Sequence, residues 1–115
     1  MTDITGSPVL PEGLDLVRTT DVFDEANHPG GLLRAHRVAD GVWGRLVVHS
    51  GALGFVFEDQ SDRQLSVGAG ESVVIPPARL HHVEFTGPVT FAIEFRRQPE
   101  TAKPVAGEES TGLQP

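Results

Sequence analysis

The stretch Gly70–Phe85, GESVVIPPARLHHVEF, runs from a turn through an apolar strand and two prolines to two adjacent histidines. Adjacent residues of a strand point to opposite faces, so His81 and His82 must face opposite ways. His81 shares its face with Val83 and Phe85, and this face is the more apolar of the two. We therefore expect His81 inside and His82 outside. The inward imidazole is then a metal ligand, a catalytic base or a hydrogen-bonded core residue.

The composition bounds the class of protein and the kind of site. The chain has 115 residues, enough for one domain with one modest core, and its 13 glycines and 9 prolines argue against a helical bundle. Cysteine is absent, which excludes disulfides, zinc–thiolate sites, iron–sulfur clusters and a cysteine nucleophile. Any metal site must use His, Asp or Glu, and would suit a metal that accepts nitrogen and oxygen ligands.

Charge and hydropathy limit the partners. The net charge of −7 repels phosphate backbones, so we expect no nucleic-acid partner. The N-terminal MTDITGSPVLPEG lacks the apolar core of a signal peptide, and no apolar run reaches the length of a membrane span. We expect a soluble cytoplasmic protein without a membrane partner. No glycine-rich loop opens a helix, so neither a nucleotide nor a flavin is expected.

The order of segments predicts one all-β domain. Residues 1–12 read as a flexible lead, 13–97 as the folded domain and 98–115 as a disordered polar tail. Short strands separated by turn residues predict a sandwich or barrel. The predicted strands are LDLVRT, DVFD, GLLRAHRVA, GVWGRLVVHS, LGFVFED, QLSV, ESVVIP, LHHVEF and VTFAIEF. Ser50-Gly51 and Gly87-Pro88 are expected to end strands.

Alternation also predicts a second apolar row on one strand. In GVWGRLVV, Leu46 and Val48 point one way, whereas Trp43 and Val47 point the other. A strand that is apolar on both faces fits a covered strand or a subunit interface. This outward row motivates the prediction of a homodimer.

The opening stretch resembles the second cupin motif, which reads Gly, five residues, Pro, one, Gly, two, His, three, Asn. Gly70, Pro76 and His81 match it, whereas Ala78 replaces the second Gly and Phe85 replaces the Asn. The resemblance implies that the domain is a cupin-type double-stranded β-helix, also described as a jelly-roll barrel.

An upstream stretch resembles the first cupin motif, which reads Gly, five residues, His, one, His, three or four, Glu, six, Gly. Gly30, His36 and Gly51 fit, whereas Val38 replaces the second His and Gly44 the Glu. The two motifs occur in the expected order and at a cupin-like separation.

More narrowly, GLLRAHRVADGVWGRLVVHSGAL followed by IPPARLHHVEF resembles one cupin-like family. This is the small domain at the N-terminus of TehB-type tellurite-resistance methyltransferases, also found as single-domain YeaR-type proteins. The matched hallmarks are His36, Trp43-Gly44, Gly51, Pro77, His81 and Glu84. The resemblance implies a role in a tellurite or oxidative stress response. Nothing in the sequence resembles the methyltransferase half, so methyl transfer is not expected.

The resemblance implies a metal site at His36, His81 and Glu84. Imidazoles bind divalent transition metals such as Zn, Fe or Ni. Two histidines hold a metal weakly, and the third ligand would be Glu84, Glu94 or His82. Strand parity places Glu84 opposite to His81 unless a bulge re-aims it; its motif position keeps it in the set.

Arg34 offers another chemistry, because it lies two residues before His36 and so on the same face. A guanidinium cannot ligate a metal but binds a carboxylate or oxyanion bidentately. The first hypothesis is a binding or sensing module holding a divalent metal or small oxyanion in its barrel. The alternative is a small metal-dependent enzyme, an oxygenase or isomerase, acting on an anionic molecule. The third is a purely structural or interaction protein.

Overall fold

The described part of the chain consists of strands that pair mostly antiparallel, with two short 3-10 turns. The computed structural model describes residues 2–33, 38 and 40–99. Within these ranges the strands are β1 (Thr2–Asp3), β2 (Asp15–Thr19), β3 (Phe23–Asp24), β4 (Val42–Phe57), β5 (Leu65–Gly68), β6 (Glu71–Ile75) and β7 (His81–Arg97). The 3-10 turns are Gly30–Leu33 and Glu58–Gln60. The all-β prediction is confirmed.

Two long strands, β4 and β7, organise the sheet. They pair with each other along most of their lengths, and the strand order is β1-β6-β4-β7-β2. The first half of β4 pairs with β6, whereas its second half pairs with β5. β3 adds to β7. Because β4 changes its neighbour midway, the sheet curls over its own inner face.

The curl is made at Gly51, where the backbone φ is +73°. The β4–β7 register shifts on both sides of this residue, between Val48 and Ser50 and between Gly51 and Leu53. The sequence signals at Gly51 and at Gly87-Pro88 predict strand ends, and this prediction is wrong. Each strand bends and continues, because the hydrogen-bonded ladder resumes beyond the shift.

The core lies on the inner face of this curled sheet. Period-two alternation predicts the inner rows correctly, since Leu46 and Val48 of β4 are buried with Val83 and Phe91 of β7. On the outer row Val47 is only 3% exposed, whereas Trp43 is half-buried. The chain itself therefore covers half of the row that motivated a homodimer, and the homodimer stays a prediction.

Part of the expected flexible lead belongs to the sheet. β1 pairs in parallel with β6 at Glu71 and Ser72. The Asp3 carboxylate accepts hydrogen bonds from Ser72 Oγ at 2.5 Å and from Arg45 Nη2 at 3.2 Å. These contacts hold Thr2 and Asp3 against the edge strand β6. The predicted tail lies almost wholly outside the described residues.

The predicted strand GLLRAHRVA differs at its start. Gly30–Leu33 is a 3-10 turn with Leu32 buried, and residues 34–37 and 39 lie outside the described ranges. No helical segment in the described ranges has the length or apolar character required to cross a membrane. The cytoplasmic location stays a prediction.

Candidate functional site

A cavity of about 330 Å³ lies at the inner face of the sheet. Its walls are mostly apolar, and this volume falls at the lower end of the range for small-molecule sites. The lining residues are Arg18, Thr20, Phe23, Pro29, Leu32, Val38, Ile75, His81, Ile93 and Phe95. Its polar lining comes from Arg18 of β2, which is exposed, from Thr20 directly after β2, and from the buried His81 of β7.

His81 is the buried polar residue of this cavity, at 2% exposure. Its Nδ1 atom lies 2.9 Å from the carbonyl oxygen of Arg79. A carbonyl only accepts, so Nδ1 carries the hydrogen of this bond. The Phe55 ring stacks on the imidazole at a centroid distance of 5.2 Å. The inward placement predicted for His81 is confirmed, and its ring orientation is fixed from two sides.

The loop that supplies this carbonyl is held from outside. The Arg79 guanidinium binds both carboxylate oxygens of Asp59 and lies 3.8 Å from the centroid of the Phe57 ring. The hydrogen bond from Arg79 holds the pKa of the Asp59 carboxyl below its ordinary value. Ala78, one residue earlier, donates its N–H to the Val38 carbonyl at 3.1 Å. The loop is therefore tied both to β4 and to a cavity-lining residue.

His82 and Glu84 lie together on the opposite face of β7. His82 bonds through Nδ1 to Glu58 and through Nε2 to Glu84, the latter at 2.8 Å. The hydrogen bond to Glu58, and then that to Glu84, raises the pKa of His82. Glu84 also accepts a hydrogen bond from Gln64, and these bonds, that with His82 first, lower the pKa of its carboxyl.

The structure thus separates Glu84 from His81, as strand parity indicates. Glu94 pairs with Arg96, at 2.9 Å from Nη2. Arg34 and His36 lie outside the described residues, although Leu32 and Val38 on either side of that segment both line the cavity. Among residues 2–33, 38 and 40–99, no cluster of three His, Asp or Glu could hold a metal ion.

Arg18 is the cavity residue that sequence reasoning missed. Regular alternation would place it on the same side as Leu16. A register shift between Leu16 and Arg18 instead sets Arg18 opposite Phe95, so it takes the cavity side. Thr20 follows, and its Oγ1 accepts a hydrogen bond from the Ile93 N–H at 3.0 Å. A one-residue shift leaves no composition signal, and only the pairing reveals it.

Solved structures resemble this fold. A protein from Escherichia coli strain K12 superposes with a TM-score of 0.74 at 25% identity, covering 81% of this chain and 99% of that chain. TehB from Haemophilus influenzae superposes with a TM-score of 0.69 at 21% identity, and the match covers 76% of this chain. The present chain spans only 32% of that TehB.

A conserved Klebsiella pneumoniae protein with a double-stranded β-helix domain gives a TM-score of 0.51 at 18% identity. The match covers 84% of the present chain and 82% of the Klebsiella chain. The predicted cupin-type double-stranded β-helix is thereby confirmed. No curated protein matches the chain in sequence. The sequence model of the TehB-like domain matches residues 18–93, and the chain belongs to the TehB-like domain family.

Proposed function

We propose that this cupin-like domain is a binding or sensing module that holds a small ligand in the cavity around His81. The observation that supports it is a buried imidazole in an apolar wall, oriented by the Arg79 carbonyl and the Phe55 ring. A buried polar group in such a wall provides direction to a ligand that the apolar surface would otherwise hold without orientation.

A small anion suits the described cavity better than a metal. A divalent metal at His36 and His81 needs further ligands, and Glu84 is bound to His82 and Gln64 on the other face. Arg18, by contrast, brings a permanent positive charge to the cavity lining. The resemblance to the domain of tellurite-resistance methyltransferases also suggests a tellurite or oxidative stress response.

The test is to measure binding and metal content on untagged protein. Elemental analysis, and calorimetry with Zn²⁺, tellurite and small organic acids, are compared among wild type, His81→Asn, His36→Ala and, as a control at an exposed histidine, His49→Asn. We expect that whichever of these probes the wild type binds is no longer bound by His81→Asn and is still bound by His49→Asn. Equal binding in those two variants would exclude the cavity as the site.

The metal content also separates the remaining functions. Metal near one equivalent, lost in His36→Ala and His81→Asn, would support the metal-binding form and the alternative of a metal-dependent enzyme, which needs an open coordination position. Less than about a tenth of an equivalent of metal would exclude the metal-binding module and the metal-dependent enzyme. The module that binds a small anion would then remain. Wild-type protein that binds no metal and none of the small molecules would support a structural role.

A further inference from the structure

The position of Arg18 follows from a bulge at the edge of the sheet. Asp15 and Leu16 pair with Arg97 and Arg96, but Val17 has no partner, and Arg18 pairs with Phe95. Residues directly opposite each other in an antiparallel pair point to the same face, so Arg18 follows Phe95 toward the cavity. Bulges of this kind commonly re-aim one side chain beside a functional site.

Among the residues that the structure describes, no carboxylate pairs with the charge of Arg18. Within the described ranges, ion pairs neutralise three other arginines, Arg45 with Asp3, Arg79 with Asp59 and Arg96 with Glu94. Arg18 forms none there, and its guanidinium carbon lies 5.7 Å from the centroid of the Phe95 ring. A guanidinium over an aromatic wall keeps its edge donors available to an anion.

The remaining walls select the rest of the ligand. Phe23, Leu32, Ile75 and Ile93 present hydrocarbon, which gains free energy only by covering an apolar body. A compact hydrophilic oxyanion would leave this surface wet. A neutral hydrocarbon would leave Arg18 without a counter-charge. A molecule with one anionic end and one apolar end satisfies both parts of the cavity.

We propose that the ligand is a small monocarboxylate with an apolar body, whose carboxylate binds Arg18 and whose body lies against the apolar walls. This inference rests on the proposed binding function and narrows it to one chemical class. Arg18 serves as the anion anchor, through charge-assisted hydrogen bonds to the two carboxylate oxygens.

The experiment uses phenylacetate, hexanoate and benzoate, each compared with its neutral amide, in calorimetry with the full chain. We expect at least one acid to bind at least about tenfold more tightly than its amide, as charge-assisted bonds require. Arg18→Gln should remove this preference. Arg63→Gln, which removes the same charge from a residue outside the cavity lining, should keep it. Circular dichroism confirms that both variants fold.

Three outcomes overturn the inference. The acids and amides bind equally, the preference survives in Arg18→Gln, or no acid binds at millimolar concentration. Each of these leaves the proposed function to be decided by the metal and tellurite measurements and by His81→Asn. If His81→Asn loses all binding and Arg18→Gln loses the preference for the acid over its amide, the proposed function and the proposed ligand class are both supported.

Discussion

The Nδ1 atom of His81 lies 2.9 Å from the carbonyl oxygen of Arg79, two residues earlier in the chain. This short-range bond joins the buried end of β7 to the loop that Asp59 holds through the Arg79 side chain. The same histidine therefore has a structural partner on one nitrogen and lines the cavity with its ring. The two roles can be separated by substitution.

His81→Asn keeps a donor close to the position of Nδ1, whereas His81→Leu removes it. We expect His81→Leu to lower the free energy of unfolding by about 1–3 kcal/mol more than His81→Asn, because the Arg79 carbonyl loses its partner in a buried site. Urea denaturation of both variants measures the difference. Equal stabilities would show that the hydrogen bond contributes little.

Gly51 cannot accept a side chain. A Cβ atom there would lie 2.0 Å from the Pro88 carbonyl oxygen, and φ is +73°. We expect Gly51→Ala to cost at least about 3 kcal/mol or to prevent folding, because both backbones at the bend must move. Gly87→Ala is the matched control, since no atom lies within 4 Å of its Cβ position. Thermal unfolding should show little change for this control, and a similar loss in both variants would contradict the close approach.

Much of the fold could be predicted because alternation and turn glycines are local signals. His81 faces inward and His82 outward as parity requires, and Glu84 stays with His82. The ends of strands were less predictable. Gly51 is a turn signal in sequence, but in the fold its positive φ bends β4 while pairing with β7 continues on both sides.

The site was only partly predictable, because its parts depend on pairing between distant strands. Arg18 lines the cavity because the strand bulges at Val17, which has no partner in the ladder to β7. No property of LDLVRT indicates a bulge there. The pattern around Val47 fits either a covered strand or a subunit interface, and the folded chain buries this residue. The motif spacing and strand parity predicted that His81 faces inward, because the direction of its side chain depends only on its own strand and the turn before it.

Ala78 occupies the position where the cupin motif has a glycine, and its φ is +62°. A left-handed conformation costs a non-glycine residue roughly 1–2 kcal/mol, and glycine removes this strain. Glycine also raises the conformational entropy of the unfolded chain, which offsets part of the gain. We therefore expect Ala78→Gly to raise the free energy of unfolding by roughly 0.5–1 kcal/mol. Gly70→Ala, at φ +81°, should lower it in the same denaturation series. Destabilisation by Ala78→Gly would show that the alanine methyl group contributes packing that outweighs the strain.

The pair of carboxylates around His82 predicts a pH dependence of stability with a definite sign. The hydrogen bonds to Glu58 and then Glu84 raise the pKa of His82 in the folded chain above the ordinary 6.5. The imidazolium therefore stabilises the fold fully below the unfolded pKa, and this contribution is lost as pH rises through the folded pKa. The pKa of Glu84 is lowered from 4.5, so its contribution is present above that value and is lost as pH falls.

The stability advantage of wild type over His82→Gln should accordingly shrink in denaturant titrations as the pH rises above the ordinary histidine value of 6.5. The ring resonances of His82, followed by NMR, report its pKa directly. Glu58→Gln should lower that pKa more than Glu84→Gln, because the bond to Glu58 is the larger cause of the rise. A pKa that neither substitution moves, or an advantage that grows with pH, would contradict the charged network on the outer face.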